Sequence, residues 1–142
     1  MVISAQGTVS AYQFYRAVIH SHARLTYTAV YEALCGDPSD ALKRGANLQD
    51  IQALYELFKA FRTAREKRGA IDFETAETQI VCEEDGKIQA IRKRDHNDAH
   101  RIIEECMLAA NTCAADFISR KALSGLFRVH GAPSPDRLET LR

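Results

Sequence analysis

The sequence carries no net charge: 19 lysines and arginines balance 19 acidic residues over 142 positions. A chain so balanced has no bulk electrostatic pull on nucleic acid or on an acidic partner. No apolar run approaches the ~20 residues that a membrane-spanning helix requires. The N-terminus, MVISAQG, has neither the basic nor the apolar stretch of a secretory signal. No two of the four cysteines (Cys35, Cys82, Cys106, Cys113) form a CxxC pair. They read as reduced, mostly buried thiols of a cytoplasmic protein, without a disulfide or metal role. Also missing are a P-loop, GxGxxG, GxSxG, HExxH and any aspartate cluster with metal-ligand spacing. No nucleophile–base pair can be nominated from spacing. Internal repeats, low-complexity tracts and linkers are lacking too. What is left is an ordinary composition, 46% apolar and 27% charged, with a length suited to one domain and one core.

The longest helical pattern without a breaker is Asn97 to Ile118, NDAHRIIEECMLAANTCAADFI. At about 100° per residue, Ala99, Ile103, Cys106, Met107, Ala110, Ala114 and Phe117 share one face, which is expected to be the core side. Asn97, His100, Glu104 and Asn111 form a second strip roughly a quarter turn away. Asn111 is unusual mid-helix, because its amide competes for backbone hydrogen bonds. A glutamate and an asparagine two turns apart on the border of a buried face can line a site.

The other elements follow from caps and periodicity. Residues 6–19 alternate apolar and polar, with β-branched and aromatic side chains, and predict a strand or two short strands. His20-Ser21-His22 has the HxH form that can hold a metal, but no third ligand lies nearby, so these read as polar residues at a strand end. Residues 26–35 predict a short helix with Thr26 or Thr28 as N-cap and Gly36 as its stop. Asp37-Pro38-Ser39-Asp40 reads as a loop. Residues 47–69 predict a long helix, capped by Asn47 and stopped by Gly69, whose last turns carry Arg62, Arg65, Lys67 and Arg68. Those cations complement the helix dipole, or offer a basic end to phosphate. Residues 70–82 and 87–92 predict an antiparallel hairpin around the turn Glu83-Glu84-Asp85-Gly86. Gly125 to His130 predicts a short strand. Ser134-Pro135 predicts the start of a last helix, barely begun at Arg142, which reads as the end of a fragment. The fold class is α+β, an antiparallel β hairpin and edge strands packed on helices of about 10, 20 and 20 residues.

Four blocks occur in order: YRAVIHSHARLTYTAVYEAL, AREKRGAIDFET, NDAHRIIEECMLAANTCAA and GLFRVHGAPSPDRL. Over essentially the whole chain they resemble the middle of the catalytic RNB domain of the ribonuclease II family. HSHARLTY and IIEECMLAAN are the most specific pieces. The resemblance implies a processive 3′→5′ exoribonuclease that hydrolyses single-stranded RNA to nucleoside 5′-monophosphates with Mg²⁺ held by aspartates. Phe73 matches the aromatic of the family's RG-x-(I/L)-x-F segment, which stacks on bases at the RNA 3′ end. Such stacking is worth about 1–3 kcal/mol per base and tolerates any sequence. Glu104 matches the first glutamate of the family's EE pair, which helps position the terminal nucleotide, and Asn111 lies below it. Arg24 and His130 are weaker RNA-binding candidates, of structural or backbone-contacting type.

The resemblance also implies what the chain does not hold. The family's metal-binding aspartates and stacking tyrosine lie upstream, its transition-state arginine lies downstream, and its cold-shock and S1 domains are absent. The expectation is therefore a central segment of an RNB domain, truncated at both ends, with no catalytic residue and no Mg²⁺ ligand of its own. It forms the RNA-channel wall and the 3′-end contacts, and is inactive alone. Strand edges that have lost partners favour self-association. The alternatives are a noncatalytic RNA-binding or interaction fragment from a truncated reading frame, and a structural remnant.

Overall fold

The structure, a computed structural model, describes residues 1–70, 78–93, 96–129 and 131–140, excepting the side chains of 138 and 140. Phe73, His130 and the first half of the strand expected over residues 70–82 lie outside the described residues. The elements run β1 (Val2–Ile3), β2 (Val9–Ala11), α1 (Tyr27–Leu34), α2 (Ser39–Lys43), α3 (Leu48–Lys67), β3 (Thr78–Cys82), β4 (Ile88–Lys93), α4 (Asp98–Arg120) and α5 (Pro135–Thr140). The class is α+β, helices with two small antiparallel sheets, β1–β2 and β3–β4. The chain divides into two compact units, Met1–Ala110 and Asn111–Arg142.

Local chemistry places the helices of the first unit. The Thr26 side chain accepts the Ala29 backbone N–H at 3.2 Å and opens α1. Asn47 Oδ1 accepts the Gln49 N–H at 3.1 Å and opens α3. Gly36 and Gly69 follow α1 and α3 in the left-handed region, at φ 108° and 83°, where only glycine is unstrained. The expected loop at Asp37–Asp40 instead leads directly into α2. Pro38 already has φ −83°, near the helical value, and Asp37 Oδ1 accepts the Ser39 N–H at 3.1 Å. Those bonds from Ser39 hold the Asp37 carboxyl below the usual carboxylate range.

The core is small and built largely on small side chains. Ala29 of α1, Ala41 of α2 and Ile51 of α3 form its centre, with Leu25, Val30, Ala33, Leu34 and Ala46 packed around them. Phe58 and Phe61 of α3 and Ala99 and Ile102 of α4 are also buried. The buried residues of α4, Ala99, Ile102 and Cys113, share only Ala99 with the expected face, and their line is turned from its centre by about 60°. Ile103 and Met107, placed at the core by periodicity, are exposed. Apolar residues occur nearly all round this helix, so period alone allowed more than one solution. The cysteines are also more open than expected: Cys35 and Cys82 are exposed, Cys106 is half-buried and Cys113 is buried.

The strand predicted over residues 6–19 is confined to β2. β1 offers only Val2 and Ile3 as partners, opposite Ala11 and Val9, so the chain beyond Ala11 has no ladder to join. Residues 12–26 run without a regular element, with Phe14, Tyr15, Val18 and Ile19 exposed. Between β1 and β2, Ser4 Oγ accepts the Thr8 N–H at 3.2 Å, and Gly7 sits at φ 75°. In the second hairpin Glu83 N–H donates to Lys87 O at 2.8 Å around a three-residue loop. Gly86 at φ 84° takes the left-handed place such a loop requires.

In the second unit, α4 ends at Arg120 and Ala122 is left-handed at φ 50°. Residues 123–129 are irregular, so the strand predicted from Gly125 does not form. Among the described residues no strand pairs with it. α5 begins at Pro135 as expected, with Ser134 O accepting the Arg137 N–H at 3.0 Å. Among the described residues, no helix is long and apolar enough to cross a membrane.

A Cβ on Gly7 would stand 2.4 Å from Ala60 O, on α3. Gly7→Ala therefore combines a backbone clash with a left-handed alanine, and is expected to cost about 2–4 kcal/mol. Urea unfolding followed by circular dichroism checks this, and a loss below about 1 kcal/mol would show that the β1–β2 turn does not hold to α3.

Candidate functional site

The polar groups of the first unit converge on the N-terminal half of α4. Asn97 Oδ1 accepts the Ala99 N–H at 3.2 Å, capping the helix, and stands 2.9 Å from His100 Nδ1. The His100 ring stacks on Tyr27 of α1, with centroids 4.0 Å apart and planes 18° from parallel. His96 lies beside it, 5.4 Å between centroids, and its Nε2 is 2.8 Å from Glu104 Oε1. The first turns of α4 and the two residues before it thus hold two imidazoles, an amide and a carboxylate along an aromatic stack.

A second set of bonds ties this end of α4 to α3. The Tyr55 hydroxyl donates to Asp98 Oδ2 at 3.3 Å, and Arg101 Nη1 lies 3.5 Å from Asp98 Oδ1. Arg65 Nη1 donates to Glu105 Oε1 at 2.8 Å. The side chains of Arg65 and Glu105 are only 30% and 11% exposed. The two neighbouring glutamates therefore differ in kind. Glu105 is committed to α3, whereas Glu104 is exposed and, among the described residues, is held by an imidazole that is itself exposed. An exposed pair of this type contributes little to stability, so Glu104 can exchange His96 for a ligand at small cost.

Sequence reading missed Glu105. Its signal, an arginine forty positions earlier, is meaningless until α3 and α4 are side by side. The same bond changes the reading of the basic end of α3. Arg65 is spent on Glu105 and the exposed Arg62 pairs with Glu66 at 3.1 Å, so Lys67 and Arg68 are the exposed cations of this end that make no ion pair among the described residues.

Of the other expected RNA-binding residues, Arg24 is exposed in the irregular stretch before α1. Asn111 is exposed and opens the second unit. Phe73 and His130 lie outside the described residues. No hydrogen bond among the described residues joins Arg24, Glu104 and Asn111. An open, mostly apolar depression of about 520 Å³ lies elsewhere in the first unit, lined by His22, Leu25, Asn47, Asp50, Ile51 and Leu54 among others.

Among the described residues no group of three His, Cys, Asp or Glu side chains could hold an ion. The His20 and His22 rings meet edge to face at 5.3 Å, with both residues exposed. The arrangement around Glu104 is equipped to hydrogen-bond and orient a polar ligand. Cys106, half-buried on α4, has its thiol pushed up by burial and then by the Glu105 charge, which makes it a poor nucleophile.

The description of the RNB domain family matches residues 1–142. Ribonuclease R of Vibrio cholerae is 40% identical over 142 residues, 100% of this chain and 17% of that protein. Ribonuclease R of Escherichia coli is 39% identical over the same length and 18% of its own. The chain thus spans less than a fifth of these relatives. The apo form of Mycoplasma genitalium RNase R superposes with a TM-score of 0.82 at 26% identity, over 99% of this chain and 22% of that one. The same enzyme in complex with ribose-methylated single-stranded RNA gives 0.65, over 81% and 18%.

Two measurements check this geometry. A double-mutant cycle of Arg65→Met and Glu105→Gln, read by urea unfolding, is expected to return a coupling of about 1–2 kcal/mol; a value near zero would dissolve the α3–α4 tie. Thiol labelling near neutral pH is expected to modify Cys35 and Cys82 first and Cys106 later, because a raised pKa leaves less thiolate at any pH below it. Cys106 reacting as fast as Cys82 would contradict its burial.

Proposed function

The chain belongs to the RNB domain family, and on that premise we propose that it is the central segment of a ribonuclease R-like 3′→5′ exoribonuclease. In this reading the intact enzyme hydrolyses single-stranded RNA processively to nucleoside 5′-monophosphates in the cytoplasm, and this segment forms part of the channel wall around the 3′ end. The observation that carries it is the end-to-end match, 40% identity to a ribonuclease R with all 142 residues aligned. A relative of the same fold bound to single-stranded RNA supports the substrate class.

The roles follow from chemistry. Glu104, exposed and lightly held, accepts hydrogen bonds from the sugar hydroxyls of the terminal nucleotide. A carboxylate can take two such bonds, and each is stronger than one to a neutral acceptor. Phe73 stacks on a base beside it, a contact indifferent to sequence. Asn111 adds a polar contact on the same helix, and Arg24 and His130 meet the backbone. Glu105 does not touch RNA in this reading; through Arg65 it holds α4 at the rotation that leaves Glu104 outward. The Mg²⁺ of the family's chemistry is held by aspartates outside this segment, and the segment alone hydrolyses nothing.

The test is a chimera. The matching segment of a ribonuclease R relative is replaced by this chain, and the shortening of 5′-labelled single-stranded RNA is followed. The chimera is expected to shorten RNA and the isolated chain to leave it intact. Glu104→Ala in the chimera should lower the rate about 10- to 100-fold, the value of one charge-assisted hydrogen bond. Phe73→Ala should change the length of the limit product and not abolish cleavage. A chimera indifferent to both substitutions would remove the site assignment. Tight RNA binding by the isolated chain would favour a noncatalytic RNA-binding fragment, against its zero net charge.

A further inference from the structure

His96 stands before α4 and still reaches its second turn. Its Nε2 lies 2.8 Å from Glu104 Oε1, eight positions along the chain. α4 begins at Asp98, so the ring folds back over roughly 9 Å of helix at 1.5 Å per residue. Two neighbours guide it there. Asn97, the next residue, accepts the Ala99 N–H at 3.2 Å and fixes where the chain enters the helix. His100, one turn before Glu104 on the same face, sets its ring 5.4 Å from that of His96. His100 is fixed in turn. Its Nδ1 is 2.9 Å from Asn97 Oδ1, and its ring stacks on Tyr27 of α1 at 4.0 Å. A line of contacts therefore runs from α1 to the Glu104 carboxylate, through His100 and His96, with every partner among the described residues of the first unit.

The last contact has a direction. An ionised carboxylate can only accept, so the imidazole donates through its Nε2–H. That bond takes one acceptor site of Oε1. A carboxylate offers about four such sites over its two oxygens, so the sugar hydroxyls assigned to Glu104 fit beside His96. Exchange of His96 for a ligand is cheap but unnecessary. A glutamate without this tie samples several rotamers, of which a ligand must select one. Holding the side chain beforehand is worth about threefold to tenfold in affinity. The ties that hold α4 on α3, Tyr55 to Asp98 and Arg65 to Glu105, do not include His96. Its bond orients a side chain, not a helix.

We propose that His96 is a positioning residue for Glu104, holding its carboxylate in one orientation toward the ribose of the 3′-terminal nucleotide. This rests on the reading of Glu104 as a ligand of that nucleotide. His96 itself touches no RNA and acts only through Glu104.

Two measurements test it. In the ribonuclease R chimera, kcat/KM is followed on 5′-labelled single-stranded RNA. His96→Ala is expected to lower it about threefold to tenfold, and His96→Gln, whose amide N–H can stand where Nε2–H stands, to restore most of the loss. The decisive arm is His96→Ala combined with Glu104→Ala. The double variant is expected to be no slower than Glu104→Ala alone, because nothing is left to position. A further loss in the double variant, or no rescue by glutamine, would overturn the proposal. So would a faster His96→Ala, which would make His96 a placeholder that RNA displaces. His96→Ala at the parental rate beside a slow Glu104→Ala would remove the positioning role alone, whereas Glu104→Ala at the parental rate would remove the reading of Glu104 and this inference with it. The second measurement needs no activity. In the whole 142-residue chain, three-bond NMR couplings across the Glu104 Cα–Cβ bond are expected to report one rotamer in the parent and in His96→Gln, and an average of several in His96→Ala. Averaging already present in the parent would overturn the proposal.

Discussion

The rotation of α4 about its own axis rests on two polar ties to α3, Tyr55 to Asp98 and Arg65 to Glu105. Seven residues separate their ends on α4 and ten on α3, so the two helices run in the same sense along this stretch. The tighter tie is the one most shielded from water. A partly buried charge-assisted bond loses more when broken than an exposed one, because the surviving partner keeps its desolvation cost. Turning α4 by one residue would expose Glu105 and pull Arg65 away from it. The same turn would swing Glu104 inward. Every functional property assigned to α4 follows from that choice between two adjacent glutamates.

The apolar contribution to the same geometry is modest. Three of the buried residues are alanines, and the larger buried groups lie mostly on one line of α3. Small side chains let α1, α2 and α3 approach closely but remove little surface from water. The chain accordingly keeps large apolar groups in solvent, on residues 14–19, on the outward side of α4 and on the β3–β4 hairpin. That exposure is far above what scattered surface leucines explain. Polar geometry therefore decides orientation here to an unusual degree, through caps, an ion pair and a stacked histidine.

How much was legible in advance follows from the range of the forces involved. Thr26, Asn47, Gly36 and Gly69 act within one turn of themselves, and the helices they bound lie within a residue or two of their predicted limits. The β3–β4 hairpin was legible for the same reason, since its strands are joined by a short acidic turn ending in a left-handed glycine. The strand predicted over residues 6–19 shortens to Val9–Ala11 and the one from Gly125 does not form, for a shared reason: a strand is a property of two segments, and only one was in the pattern. α2 was missed because Asp-Pro-Ser marks both a turn and a helix start, and the choice depends on whether Ala41 has somewhere to be buried. Glu104 and Asn111 were singled out as a polar strip with a family resemblance behind it, and both are exposed. Glu105 was not, because its partner is forty residues away.

The sequence by itself determined the class of fold, the limits of the long helices and the family, because caps, period and ordered motifs are written in neighbouring residues. Only the tertiary structure decided which side of α4 is buried and which of two adjacent glutamates is tied to α3. The physical reason is that a helix with apolar residues on most of its circumference has several nearly equivalent rotations. One long-range charge pair, closed where water is scarce, is enough to separate them.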